Sequence, residues 1–427
     1  MMEELGYRPY GSYKDSHASW LGEVPSDWQV GPGRICIYEN RDKNTGMKES
    51  TVLSLSYGRV IVKDEDKMTG LVPESYETYQ IVQPGDIIIR GTDLQNDVTS
   101  LRTGLAKDHG IITSAYINLR PKPNAYAEFL HYLLHSYDVK KVFYGLGSGL
   151  RQNLSYVDFK YLTIPLPSLP EQRAIVAFLD DKCAKIEGAV KIKEDQIALL
   201  RERRQIIIQD AVTRGLNPAA PMKDSGIDWI GQIPAHWENM PNKYLFRLKK
   251  DTVGKRSDQY DLLSLTLRGI IKRDLENPEG KFPAEFDTYQ EVCPGDFVFC
   301  HFDVEETPRT VGLSEFFGMI TGAYTVYSVA NGVDPRFLLH FYIFTDTDKK
   351  MRSMYKGLRN TIPKDAFGAF KTPLPPIEEQ QAIVAHIDDA SRKIEDGIAI
   401  KQDQIAALKE YKTSLINAAV TGKIKVI

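Results

Sequence analysis

The stretch SWLGEVPSDW (Ser19–Trp28) returns as DWIGQIPAHW (Asp228–Trp237). The two copies hold all four tryptophans of the chain and place Trp20 209 positions before Trp229, about half of the 427 residues. Five further pairs follow in the same order. TVLSLSYGR (51–59) answers to DLLSLTLRG (261–269), and YQIVQPGDIII (79–89) to YQEVCPGDFVF (289–299). GIITSAY (110–116) answers to GMITGAY (318–324), GLRQNL (149–154) to GLRNTI (357–362), and LPEQRAIVAFLDD (169–181) to IEEQQAIVAHIDD (377–389). All six pairs lie 208 to 210 positions apart. Chance does not produce six ordered matches at one offset, so the chain is two copies of one unit.

Each copy has two parts. The first alternates short β-branched runs with Pro-Gly-Asp and Gly turns and holds one helix near AYAEFLHYLLHSY. That mixture predicts an α+β head of about 150 residues. The second begins after PLPSLPEQ and PLPPIEEQ, where Glu171 and Glu379 fall in the first helical turn and offset the helix dipole. Within it apolar residues recur at alternating steps of three and four. Ile186, Val190, Ile197, Leu200 and Ile207 occupy the seam of one copy, Ile394, Ile398, Ile405, Leu408 and Leu415 that of the other. Basic residues interrupt both seams at the same slots, Lys193 with Lys401 and Arg204 with Lys412. A helix of some 45 residues is about 67 Å long and cannot bury such a stripe alone. The expectation is two α+β heads joined by two long helices that pair as a coiled coil, antiparallel if the halves are related by a two-fold axis. The divisions fall at 1–167 and 216–375 for the heads, and 168–215 and 376–427 for the helices.

Composition narrows the function. A net charge of −3 is not that of a protein that binds nucleic acid alone, so a DNA role must rest on local patches or on charge lent by partner subunits. The start lacks the basic and apolar regions of a secretory signal, and no run approaches the ~20 apolar residues that span a bilayer. Cys36, Cys183, Cys293 and Cys300 follow no framework spacing, which fits a reducing cytosol. Signatures of chemistry are missing. TVGKRS and TGKIK lack the first glycine of a phosphate loop, and GLGSG follows a helical stretch instead of a strand. No Asn/Asp-Pro-Pro-aromatic sequence of an amino-methyltransferase is present, nor an Asp followed by Glu-x-Lys as in a nuclease. His131 and His135 stand at helical spacing near Glu128, but the second copy replaces them with Leu339 and Ile343, so a helix edge is favoured over a metal site. The chain reads as non-catalytic.

Binding candidates lie where the copies diverge inside matched frames. After Pro-Gly-Asp the loop of the first copy offers Arg90, Thr92, Gln95, Asn96, Arg102 and Lys107, donors suited to phosphates and base edges. The second offers Cys300, His301, Asp303 and Arg309. A second cluster is SGLRQN with KGLRNT: Ser148, Arg151 and Gln152, then Lys356, Arg359 and Asn360, with phosphate gripping and helix capping as alternatives. Arg59 and Arg268 complete the basic set. Tyr57, Tyr116 and Tyr324 read first as core aromatics, with groove contact the alternative.

The tryptophan phrase opening each half, the central Pro-Gly-Asp, the Gly-Leu-Arg turn and the Pro-x-x-Glu-Gln entry to a long helix together resemble the specificity subunit of type I restriction-modification enzymes. The resemblance covers essentially the whole chain. It implies a non-catalytic subunit whose heads are target recognition domains, each reading half of an asymmetric bipartite site in double-stranded DNA. It further implies that the helices set the spacing and dock two methyltransferase subunits, with restriction (translocase) subunits completing the enzyme. S-adenosylmethionine, ATP and Mg²⁺ would bind the partner subunits and none of them this chain. Its alternative is an assembly scaffold, or a solitary specificity subunit whose heads bind other partners.

Overall fold

The computed structural model describes residues 7–63, 75–97, 99–146, 152–273 and 286–426. The chain forms two compact units, Met1–Lys193 with Asp403–Ile427, and Glu194–Gln402. Each therefore takes its head from one copy of the repeat and helical segments from both.

In the first unit a four-stranded antiparallel sheet runs in the order Ile37–Glu39, Ile117–Pro121, Ile87–Ile89, Thr103–Leu105. The run of three isoleucines after Pro-Gly-Asp is explained by burial on both faces. Ile87 and Ile89 point toward the helices and join Leu119, Phe129 and Leu133, whereas Ile88 points the other way and packs with Leu53, Val60, Val82 and Ile112. The second unit repeats the order with Phe246–Leu248, Thr325–Val329, Phe297–Phe299 and Val311–Leu313. Phe297 and Phe299 face one core and Val298 the other. The Pro-Gly-Asp turn recurs because its parts are structural. Gly85 and Gly295 sit at φ +94° and +90°, and the buried Asp86 accepts from Arg120 Nε at 2.7 Å and from the Gln83 amide at 2.9 Å. In the second unit Asp296 takes Lys249 Nζ at 2.7 Å and the Cys293 amide at 2.8 Å.

The long helices are Leu169–Arg214 and Ile377–Val420. Every seam position named above is buried or half-buried. In the first unit Ile186 shares a core with Leu415, and Glu187 meets Lys412 at 2.6 Å. In the second, Leu200 lies beside Gly397 and Arg204 reaches Glu395 at 3.1 Å. Numbers rise along one helix as they fall along the other, so the paired segments of each unit run antiparallel. The basic interruptions Arg204 and Lys412 thus find acids on the facing helix. Such half-exposed pairs contribute little stability, but they fix register. Removing apolar volume costs more. Ile197→Ala, at a seam position only 7 % exposed, is expected to lower stability by about 2–4 kcal/mol in urea unfolding.

Each tryptophan phrase sits where the two helices end. Trp28 packs edge-on against Phe129, donates its Nε1 to Glu171 at the start of the first long helix (3.1 Å), and lies against Gly422 just past the end of the second. Trp237 packs on Phe337 and lies against Gly215, the left-handed residue that ends the first long helix, while neighbouring His236 meets Glu379 at 2.7 Å. The glutamine after each glutamate is a buried lock. Gln172 Oε1 accepts from the Tyr126 amide at 2.7 Å and its Nε2 donates to the Pro167 carbonyl at 2.8 Å; Gln380 does the same with the Asp334 amide and the Pro375 carbonyl, both at 2.8 Å. This ties the helix start to the short helix of its head. Among the described residues no helix is long and apolar enough to cross a membrane.

Candidate nucleic-acid interface

The loop after Ile87–Ile89 is built around Arg102, which the sequence places among the DNA contacts. The structure corrects that. Arg102 is fully buried. Its Nη1 donates to the carbonyls of Arg90 (3.2 Å) and Thr92 (2.8 Å), its Nη2 to those of Asp93 (3.3 Å) and Asp97, and its Nε to Tyr144 Oη at 3.2 Å. Five donors in a rigid fork thus hold the loop from inside. The Arg102 amide donates to Asp138 Oδ2 at 2.6 Å.

The second unit keeps that aspartate and changes the rest. Asp346 accepts from the Thr310 amide (3.1 Å) and hydroxyl (2.6 Å), from Arg309 Nη1 (3.3 Å) and from Lys349 Nζ (2.6 Å), which also reaches the Thr307 carbonyl at 2.7 Å. Lys349 does for this loop part of what Arg102 does for the other. Arg309 accordingly turns inward to a buried acid, a second correction to the expected contacts. His301 is a third: it is 7 % exposed, stacks on Phe299 with centroids 5.4 Å apart, and burial pushes its pKa down to about 4. It is a neutral core side chain. Matched Asp138 and Asp346 were readable as a pair at the common offset, and are the residues a search limited to loops passes over.

Other candidates reach the surface. In the first unit Thr92, Gln95, Asn96, Lys107, Gln152 and Arg59 are exposed and Arg90 half-exposed. The Asp93 amide donates to Asn153 Oδ1 at 2.9 Å and the Leu154 amide to the Gly91 carbonyl at 2.7 Å, so the residues after the Gly-Leu-Arg turn lie beside the loop. Asp97, held down to about 2 by the Ser100 amide, faces Arg90 at 3.3 Å. Ser148 and Arg151 lie outside the described residues. In the second unit the equivalent bond runs from the Ile362 amide to the His301 carbonyl, 2.8 Å. There Lys356 and Arg268 are exposed, Arg359 grips Asp303 through Nε (2.9 Å) and Nη2, and Asn360 donates to Glu306 at 3.2 Å. The Arg359 guanidinium also lies 5.1 Å from the Phe302 ring centre, and Phe302 stacks with Tyr324. Both units bring the loop and the turn together. They differ in charge: the second surrounds its basic residues with carboxylates.

Of the three tyrosines read as core, Tyr116 and Tyr324 pack against the second core of their units, but Tyr57 is 95 % exposed. His131 and His135 lie on one helix face with ring centres 6.1 Å apart, and burial pushes His131 down to about 4. Among the described residues no three His, Cys, Asp or Glu side chains gather as a metal site.

Comparison with known proteins agrees with this architecture. Residues 50–194 match the family model described as type I restriction modification DNA specificity domain. A putative type I restriction enzyme MjaX specificity subunit from Methanocaldococcus jannaschii is 22 % identical, across 95 % of this chain and 96 % of that protein. The type I restriction enzyme MjaVIII specificity subunit of the same organism is 23 % identical, across 74 % and 75 %. Among solved structures, the HsdS subunit from Thermoanaerobacter tengcongensis has a TM-score of 0.53 at 16 % identity, covering 97 % of this chain and 100 % of that one. A chain from work on complex assembly and conformational transition of the type I R-M system has a TM-score of 0.63 at 16 % identity, covering 93 % and 98 %. Residues 50–194 thus match a type I restriction modification DNA specificity domain, and along nearly its whole length the chain is similar to specificity subunits of type I restriction enzymes.

Proposed function

We propose that the two heads, residues 1–167 and 216–375, each read one half of an asymmetric bipartite DNA site, and that the chain docks two methyltransferase subunits and the restriction subunits. The observation that carries this reading is a constant frame with unlike loops. Sheet order, glutamine lock and buried aspartate are the same in both units, whereas one loop presents Arg90, Thr92, Gln95 and Asn96 and the other Asp303 with Arg359 and Asn360. Unlike donors and acceptors on one scaffold select unlike bases. For the methyltransferase, support comes from the second unit's part of the first long helix, where Leu199 and Ile206 stand seven residues apart outside the seam and remain 62 % and 51 % exposed. Such a stripe suits a partner helix. S-adenosylmethionine, ATP and Mg²⁺ are assigned to the partner subunits.

Co-expression with a methyltransferase subunit and mapping of methylated adenines in the host DNA tests the reading. One recurring motif of two different half-sites around an unspecified spacer is expected; methylation without a motif, or of a palindrome, overturns it. A charge prediction accompanies it. Asp303→Asn releases the exposed Arg359 for phosphate, so the assembled complex should bind DNA several-fold more tightly at low salt. The slope of log affinity against log salt should steepen by about one. Filter binding at several salt concentrations reads both.

A further inference from the structure

We propose that two hairpin tips act as wedges in the duplex, Tyr57 entering between adjacent base pairs at the first half-site and Leu267 at the second. The inference rests on the reading of the heads as DNA-binding.

The hairpins are Leu53–Ser56 with Arg59–Val62, and Leu263–Thr266 with Gly269–Lys272. Their registers leave two-residue loops, Tyr57-Gly58 and Leu267-Arg268. Two-residue turns favour Asn, Asp and Gly, which tolerate positive φ or close the turn with a short polar side chain. Neither tip follows that preference at its first position. Tyr57 sits in the left-handed region at φ 47°, where a bulky residue is disfavoured, and Gly58 follows at φ 75°. The other turn is closed differently: Gly269 carries the positive φ, 95°, and the Thr266 hydroxyl accepts from the Arg268 amide (3.1 Å) and donates to the Gly269 carbonyl (3.0 Å). Two different local solutions thus present the same product, a large apolar-bodied side chain aimed at solvent. Tyr57 is 95 % and Leu267 67 % exposed. Among the described residues no packing accounts for either.

The stalks are stiff. Leu53 and Val60 are in the second core of the first unit, and a Cβ on Gly104 would come 2.5 Å from Leu55 Cδ1, so the hairpin lies directly on the sheet. Leu263 and Ile270 do the same beside Gly312, whose Cβ would come 2.7 Å from Leu265 Cδ1. An exposed arginine adjoins each tip, Arg59 and Arg268, placed to meet phosphates as the apolar group enters. Apolar wedges flanked by basic residues are a recurring means of unstacking and bending DNA. A protein partner is the less favoured occupant. Ile61 and Val62, exposed beside Tyr57, are matched by the half-buried Ile271 and by Lys272, so the shared apolar feature is a single side chain per unit. One side chain is the size of a wedge, not of a protein interface.

The test uses the chain assembled with its methyltransferase subunits and the target found by methylation mapping. Duplexes carry 2-aminopurine at successive positions of each half-site, avoiding the methylated adenine. The parent complex should brighten the probe at one step in each half-site. Tyr57→Ala should abolish the first signal and leave the second, and Leu267→Ala the converse. Each should weaken binding roughly fivefold to a hundredfold with an unchanged salt slope, because no charge is lost. Tyr57→Trp should keep the signal. Both alanine variants should melt no lower than the parent. Probe signals that persist in both variants overturn the proposal, as does impaired assembly with the methyltransferase in the absence of DNA. A parent complex that methylates no defined sequence refutes the underlying reading instead, and the wedge with it.

Discussion

Replacing Arg102 with alanine is expected to abolish methylation directed by the first half-site, although the side chain never meets solvent. The substitution leaves four loop carbonyls and the Tyr144 hydroxyl without their shared donor, next to the buried Asp138. Each buried acceptor left without a donor costs about 1–3 kcal/mol, so the loss of this shared donor destabilises the loop by several such increments. Lysine should not rescue it. One ammonium cannot reach the carbonyls of Arg90, Thr92, Asp93 and Asp97 together, whereas the guanidinium fork does. Urea unfolding should show the loss, and the methylated motif should lose the definition of one half only. An Arg102→Ala chain with parental stability and weakened binding would return Arg102 to the contact surface.

Changing Thr92, Gln95 and Asn96 together should have the opposite signature: parental stability with a new or blurred first half-site and an untouched second one. These three are exposed on the loop that Arg102 organises, so the exchange keeps the frame and alters only the surface proposed to read DNA. Each well-placed amide or hydroxyl contact with a base edge is worth about 1–3 kcal/mol of discrimination, so the combined change should reduce use of the old half-site by a hundredfold or more. Methylation mapping reads it directly. A shift in the second half-site would mean the heads have been assigned to the wrong halves. Exchanging the whole span 91–109 is a poorer experiment, because it removes Arg102 and the strand Thr103–Leu105 with the loop.

The duplication made much of the fold legible, since each copy served as the reference for the other. Shared positions in YQIVQPGDIII and YQEVCPGDFVF mark the strand and turn, and the seam slots Ile186 to Ile207, matched by Ile394 to Leu415, mark the pairing helices. The direction of loop side chains was not legible. Arg90 and Arg102 are two arginines of one loop, yet one is half-exposed and the other buried. The difference is made by Tyr144 and Asp138, some 40 positions away. His301 was misplaced for a related reason: its ring is taken into the aromatic core by Phe299 and Phe367, a tertiary effect that residue type does not announce. Tyr57 erred in the opposite direction. An aromatic ordinarily signals burial, and only the two-residue spacing of its turn hinted that it stands at a tip.

The matched seam has a consequence for inheritance. Glu187 and Glu395, and Arg204 and Lys412, hold equivalent stations, so each repeat brings to the pairing the acid and the base that the other requires. A crossover in the DNA encoding the helices, between this gene and one that encodes the same stations, would therefore join a foreign head to a helix that still finds its ionic partners in register. If the heads read DNA as proposed, recognition would then change by one block at a time while assembly passed unaltered to the descendant, and the helices would be the joints along which new specificities are traded.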